Sequence, residues 1–494
     1  MIKKYLKRLL PTEESLHQRT LKSGIWSFGS RIATRGVTML KLLIVAILLN
    51  PDDIGLLGVA LLTIAVLEVF TRTGFKESII QNKDDISGHL NTAWTVLVVR
   101  GIGLFGVVYF SAPYIADFFG DPRVTSVVQV ISLVLVFRGL MNIGVVLFEK
   151  ELEFHKKFLL DLSKVVPAFI ITVVLAIILK NVWSLVYGTV IGSFSMMLVS
   201  YKIHSYKPSF EFEFKKAKEM FGFGKWIFGS SILIFIATQG DDIFLGRVLG
   251  IASLGVYQLS YNLSNTPATE ITHVISKVTF PAYSKIQDSL DRLKEGLFKT
   301  LRITLTLSIP LSIAIIIFVP EFTQYILGEK WIEVIWPARI LAVSGLLRSI
   351  TATWGPYYKA RGKPKFAFYK NIFRVIGIFA TIYWLTTYYG IVGASLSVLI
   401  GQSLAFSFDR YFMRKLGPFK INLFELLDYL KGLLLSVAIP SVLYLWLAKY
   451  INSALIFILI AIFVSGIFML IMLLMEKIHM NPVLSEVKEL IRSM

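Results

Sequence analysis

Residues 23–49 read SGIWSFGSRIATRGVTMLKLLIVAILL. The stretch is long and apolar enough to cross a bilayer, whose ~30 Å hydrocarbon core takes about 20 helical residues. Yet it carries Arg31, Arg35 and Lys41. On a helix turning about 100° per residue, Ser27, Arg31, Thr34, Arg35 and Thr38 fall within about 80° of one another, with Lys41 at the stripe's edge. At 1.5 Å of rise per residue, Arg31 lies roughly 12 Å and Arg35 roughly 18 Å inward. Cations at that depth face a watery cavity or a partner charge, and mark functional positions.

The rest of the chain repeats the apolar theme. Hydrophobic residues make up 55% of the 494 and charged residues 17%, with a mean hydropathy of +0.68. Apolar runs of spanning length recur from end to end, about fourteen in all. The predicted class is therefore an all-α integral membrane protein. The runs are continuous rather than alternating, which excludes a β-barrel. The absence of cysteine excludes disulfides and thiolate metal sites. The opening MIKKYLKRLLP is basic and too short for a cleavable signal, and reads as an amphipathic segment lying on an anionic membrane surface.

A net charge of +19 raises the question of nucleic acid. Its placement answers otherwise. Most of the 51 Lys and Arg fall in loops on the side of the N-terminus, whereas Arg123, Lys180, Arg247, Lys330 and Lys449 are those on the opposite side. This is the positive-inside pattern. It predicts a multi-pass protein of the cytoplasmic membrane with both termini cytoplasmic, bound to membrane lipids and not to nucleic acid.

Self-comparison reveals a duplication. GIWSFGS at 24–30 recurs as GKWIFGS at 224–230, and DIGLLG at 53–58 meets SLGVYQ at 253–258 in the same register. Further on, APYIADFFGD at 112–121 resembles VPEFTQYILGE at 319–329. The expected organisation is an N-terminal segment (1–22), an N-lobe of six helices (23–204), a connector (205–218), a C-lobe of six helices (219–415), two accessory helices (416–476) and a tail (477–494). Each unit has an even number of spans, so the copies share orientation. Transporters built this way hold substrate between the halves and alternate which side is open.

Other intramembrane charges join the first stripe. Glu68 and Arg72 sit four apart on the second span, as a self-neutralising pair or as cavity groups. Arg100, Arg138 and Arg348 are candidate cavity cations, while Asp161 and Lys164 lie near enough the edge to reach the headgroups. YNLSNTPATEITHVISK (261–277) lines up Asn262, Asn265, Thr266, Thr269, Glu270, His273 and Ser276. Pro267 breaks the backbone ladder there, which fits either a wet, bent helix or a kinked one packed on polar neighbours. Asp241 and Asp242 fall near a helix end, where a solvent-exposed pair is the bland reading. Glu68, Asp241, Glu270 and His273 are the candidate ion-coupling groups, for sodium or protons, and no bound cofactor is expected. The deep cations Arg31, Arg35, Lys41, Arg72, Arg100, Arg138 and Arg348 outnumber the acids. Because arginine offers paired donors matched to phosphate, they predict an anionic, phosphate-bearing substrate.

The chain resembles Wzx-type polysaccharide flippases of the MOP exporter superfamily, in the group of colanic-acid and teichuronic-acid exporters. The resemblance is carried by residues 23–60, by TGFKESIIQ (73–81), by QGDDIFLGRVLGIASLGVYQLSYNL (239–263) and by FPAYSKIQD (280–288). It implies two pseudo-symmetric six-helix lobes in a V around a cationic cavity, plus two C-terminal helices. It also implies a polyprenyl-diphosphate-linked oligosaccharide moved to the outer leaflet, with first-helix arginines, here Arg31 and Arg35, bearing on transport. A polysaccharide polymerase and chain-length machinery are the implied partners, and a monomer suffices. Two alternatives share the superfamily, a peptidoglycan lipid-precursor flippase and, against the cationic cavity, a drug antiporter. A membrane glycosyltransferase or polymerase would need a large external loop or acidic catalytic residues at a membrane face, and neither is evident, so no enzyme is expected.

Overall fold

The computed structural model describes residues 16–71, 74–81, 87–363, 365–416 and 423–477. Their regular structure is helical throughout, and ten helices among them are long and apolar enough to cross a membrane. Arg72 and the predicted segments 1–15 and 478–494 lie outside the described residues.

Contacts divide the chain into two compact units, Met1–Phe235 with Gly250–Ala252, and Ile236–Leu249 with Ser253–Met494. The first contains α1 (Leu16–Leu48), α2 (Pro51–Phe70), α3 (Phe75–Gln81), α4 (Ser87–Phe119), α5 (Arg123–Ile131), α6 (Leu133–Leu140), α7 (Leu147–Lys150), α8 (Phe154–Leu179) and α9 (Trp183–Ile203). It also takes in the first part of α10 (Phe214–Val248). Helix starts follow local chemistry. α2 opens with Pro51, whose missing N–H is no loss in a first turn, and with Asp52 and Asp53 at the positive end of the helix dipole. The Asp53 carboxylate accepts from the Asn50 backbone at 3.1 Å. Gly120 (φ 73°) closes α4, and Asp121 caps the next turn by accepting from the Arg123 backbone at 2.8 Å. Hydrogen bonds from the Arg123 guanidinium hold the Asp121 carboxyl below the usual carboxylate range.

One predicted span is broken. Hydropathy alone reads 124–148 as a single crossing, but α5 and α6 end at Leu140 and a 3-10 turn, Ile143–Val146, follows. The interruption is held from outside the segment. The Asn142 backbone donates to Ser200 Oγ at 3.0 Å, and its side chain donates to the Tyr206 carbonyl at 2.7 Å.

In unit 1, α8 and α9 form a tight hairpin, α1 packs on α8, and α4 packs on α5 and α6. Glycines set the closest approaches. A Cβ on Gly139 would lie 2.7 Å from the Leu97 carbonyl oxygen and 3.2 Å from the Gly101 Cα. One on Gly55 would lie 2.0 Å from the Ile251 carbonyl oxygen. Small residues at such crossings let helices meet backbone to backbone, a main source of adhesion where lipid is as apolar as the helix faces.

The second unit holds α11 (Ile251–Lys285, from Ser253 onward), α12 (Leu290–Phe322), α13 (Ile335–Ala360), α14 (Lys365–Leu416), α15 (Leu423–Leu447) and α16 (Ala454–Lys477). α13 packs on α12 and α14, and the α15–α16 pair lies against α12. α14 is two helices joined at Gly390, whose φ of 57° and ψ of −134° a side chain would strain. The core near one end of this unit is aromatic, with Tyr283, Trp354, Tyr357, Tyr358 and Phe366 buried together. Large apolar residues such as Phe110, Tyr114, Ile178 and Phe463 stay exposed, as expected where the neighbour is lipid.

Gly139→Ala should lower the thermal midpoint of the purified protein, because backbone rather than a flexible side-chain tip must give way; overpacking of this kind costs about 1–3 kcal/mol. Gly36→Ala, where a Cβ meets nothing within 4 Å, should leave the midpoint unchanged or raise it. Equal shifts in the two variants would show that the Gly101–Gly139 contact is not tight.

Candidate functional site

The crossing of α4 and α6 builds the first charged cluster. Gly101 and Gly139 let the helices touch, and the residue preceding each glycine is an arginine, Arg100 and Arg138. Both guanidinium groups meet the end of α2. Arg138 Nη1 lies 2.5 Å from Glu68 Oε1. Arg100 donates through Nε (3.0 Å) and Nη2 (2.9 Å) to the Thr71 hydroxyl, and through Nη2 to the Glu68 carbonyl at 3.3 Å. Thus Glu68 finds its partner on α6.

α8 adds Lys164 and Asp161. The sequence places them near the headgroups, but Lys164 is half-buried and within electrostatic reach of Arg138, Glu68, Lys41 and Asp161. Lys41 of α1 and Lys164 of α8 therefore belong to the same neighbourhood as the Glu68–Arg138 pair. Among the described residues, Arg100, Arg138 and Lys164 gather around Glu68, with Lys41 near Lys164 and Asp161 one turn away on α8. The cluster can accept an anion without any residue changing its charge.

Arg31 and Arg35 lie half-buried on α1, about three and about two turns before Lys41. Their polar neighbours are satisfied within the helix. Thr34 donates to the Ser30 carbonyl and Thr38 to the Thr34 carbonyl, each at 2.7 Å.

The second unit has its own network. Asp241 and Asp242 of α10 are 4% and 9% exposed, so they are not the solvent-exposed pair that position alone suggests. The Tyr257 hydroxyl donates to Asp241 Oδ2 at 2.5 Å, and Asp242 hydrogen-bonds to Gln258. Arg348 Nη1 donates to the Tyr261 hydroxyl at 2.6 Å. Arg374 of α14, 8% exposed, lies within electrostatic reach of Tyr261, Asp241 and Arg348. Its Nε has no hydrogen-bond partner among the described residues. Two acids and two cations thus face each other through tyrosines, a balanced arrangement.

Arg348, read from sequence as a cavity cation, belongs to this network. Arg374 escaped the sequence reading, although an arginine inside NIFRVIGIF carries the same signal as the others. So did Asp409, fully buried, which accepts from the Tyr358 hydroxyl at 2.9 Å with Lys370 at 3.8 Å. Along α11, Asn262 donates to the Gln258 carbonyl (2.8 Å), and Ser264 to the Ala338 carbonyl on α13 (2.7 Å). Asn265 is 2% exposed. Ser264 and Asn265 face protein, whereas Asn262 is half-buried and satisfied within its own helix. The side chains of Thr266, Glu270 and His273 lie outside the described residues.

With this geometry in hand, known proteins can be compared. Residues 44–336 match the family described as polysaccharide biosynthesis protein. The chain belongs to this family. Among its relatives, the lipopolysaccharide biosynthesis protein WzxC of Escherichia coli (strain K12) is 28% identical over 79% of this chain and 78% of its own length. The teichuronic acid biosynthesis protein TuaB of Bacillus subtilis (strain 168) is 23% identical over 71% of this chain and 75% of its own. The succinoglycan biosynthesis transport protein ExoT of Rhizobium meliloti (strain 1021) is 22% identical over 71% of each chain. Among solved structures, the lipid II flippase MurJ in an inward closed conformation matches with a TM-score of 0.70 at 16% identity, covering 90% of this chain and 97% of that one. An inward-facing MATE multidrug transporter of the MOP superfamily matches at 0.63 and 16% identity, over 77% and 93%. These structural likenesses establish a shared fold.

Arg138→Ala should lower thermal stability by leaving Glu68 without its partner, and Glu68→Gln in the same chain should recover part of the loss. A double-mutant cycle should give a coupling of about 0.5–3 kcal/mol. Losses that simply add would mean the pair is not energetically coupled.

Proposed function

We propose that the protein is a flippase that moves a polyprenyl-diphosphate-linked oligosaccharide from the cytoplasmic to the outer leaflet by alternating access, for assembly of a surface polysaccharide. The observation that carries this reading is the net-positive cluster of Lys41, Arg100, Arg138 and Lys164 around Glu68, inside helices of a polysaccharide biosynthesis family member. Arginine's paired donors match phosphate oxygens, and low-dielectric surroundings strengthen the attraction. Arg31 and Arg35 are assigned the same anionic group on its way in. Arg72 is assigned with them from sequence, while Arg348 is tied into the balanced network. The role is that of a transporter rather than a catalyst, as the similarity to the succinoglycan transport protein ExoT supports.

Fourteen crossings in two six-helix lobes plus two helices, in the cytoplasmic membrane with cytoplasmic termini, complete the proposal. The buried Asp241, bonded to Tyr257 and beside Arg374, is the best-placed ion-coupling group, for a proton or sodium ion. Glu68, Glu270 and His273 stay candidates from sequence. A polymerase would take up the delivered repeat unit.

Depleting the protein in its host should accumulate a polyprenyl-diphosphate glycan that externally added probes cannot reach. Extraction identifies the lipid, so accumulation of the peptidoglycan precursor instead would replace the polysaccharide reading. Replacing Arg31 and Arg35 together by Ala should abolish translocation with the protein still inserted, each lost charge-assisted contact weakening anion binding about tenfold or more. Normal export in that variant would remove the anion role of α1. Asp241→Asn should abolish any dependence of transport on a proton or sodium gradient; a dependence that persists assigns coupling elsewhere.

A further inference from the structure

The segment between α9 and α10, residues 204–213, is neither helix nor slack loop. Asn91 Oδ1 accepts from the Ser209 backbone at 3.1 Å, Thr95 Oγ1 from the Glu211 backbone at 3.0 Å, and Thr92 Oγ1 from the Glu213 backbone at 3.2 Å. Alternate backbone N–H groups thus point at one turn of α4, the period of an extended chain. The Asn91 side chain also donates to Glu211 Oε2 at 2.8 Å, and the Tyr206 hydroxyl donates to Asn91 Oδ1.

An extended backbone sends alternate side chains to opposite faces. Glu211 is bonded to Asn91 and Glu213 pairs with Lys216. The neighbouring aromatics are exposed: Phe210 is 71% exposed, Phe212 56% and Phe214, at the start of α10, 72%. Phe210 rests one face on Trp94, 4.8 Å between ring centroids. Three exposed phenylalanines in five residues are costly in water. They lie where two membrane-length helices emerge, flanked by the exposed Lys202, Lys207, Lys215 and Lys218. Glu211 and Glu213 are exposed as well, but Glu213 is paired with Lys216 and the exposed lysines outnumber them, so the surface offered outward is apolar with a net positive charge.

We infer that Phe210, Phe212 and Phe214 form a membrane-surface anchor, inserting into the interfacial layer of the lysine-rich leaflet while the flanking lysines hold anionic phospholipid headgroups. Aromatic rings beside lysines suit that layer, one part apolar and the other charged. The segment is then fixed twice, by hydrogen bonds to α4 and by lipid. It moves with unit 1 rather than as a free tether.

The chain has no cysteine, so a nitroxide can be attached at one introduced site. Phe212→Cys carries the label in nanodiscs of neutral or anionic phospholipid, with Phe214→Cys as a second position. Leu459→Cys on α16 serves as a lipid reference and Asp288→Cys as a water reference. Collision with oxygen against a water-soluble nickel chelate should place 212 with the lipid reference, and deeper in anionic than in neutral bilayers. Lys207→Gln, Lys215→Gln and Lys218→Gln together should remove that difference. Nickel accessibility equal to position 288 overturns the anchor. Exclusion of both reagents overturns it in favour of a covering protein. A reading identical in the two bilayers overturns the headgroup assignment.

Discussion

A charge among apolar helices must be answered within a few ångströms, because little water is there to answer it. In unit 1 the answer depends on Gly101 and Gly139 touching, which brings Arg100 and Arg138 to the end of α2 together. A side chain at either position would meet backbone at 2.7 Å and press α4 and α6 apart. Once the crossing is made, one guanidinium neutralises the Glu68 carboxylate and the other is held by a hydroxyl and a carbonyl, neutral groups. Fixing a cation with dipoles leaves its charge uncancelled. That is how a folded, satisfied site keeps a net positive field.

The internal duplication sharpens this point. In the register that aligns GIWSFGS with GKWIFGS, Arg31 falls on Ser231, Arg35 on Phe235 and Lys41 on Asp241. Tryptophan and glycine are shared while the cations are not, so the charges are not needed to build the helix. The second copy holds charge in balance, Asp241 and Asp242 against Arg348 and Arg374 through two tyrosines. A balanced buried network is expensive to assemble and costly to break on one side only. Neutralising a single member therefore shifts every partner, a property suited to a switch, whereas the unbalanced cluster of unit 1 suits a ligand.

Membrane helices were legible from sequence because hydropathy over about 20 residues is a local property. Failures came where distant groups decide. Nothing in 124–148 announces the break after Leu140; it rests on Ser200 and Tyr206, dozens of residues away. The same holds for charges. Arg31, Arg35 and Arg138 could be singled out as costly, but the meeting of Glu68 with Arg138, seventy residues on, could not be read from either segment alone. Asp241 looked like a helix-end residue until α11 and α14 covered it. Lys164 was discounted by its depth along the helix, which does not tell which neighbours it meets.

The stripe on α1 differs from both networks in how it is held. Thr34 and Thr38 spend their hydroxyls on carbonyls of the same helix, so they require no neighbour. Gly29 and Gly36 have open space where a Cβ would stand. The far end of α1 is another matter: Val45, Ala46 and Leu49 are 1% exposed or less. The helix is thus fully covered at the end that leads into α2 and only partly covered along its cationic half, which packs on α8. Segments with few buried contacts rearrange at low free-energy cost. Arg31 and Arg35 sit on this less covered half, away from the fully buried end.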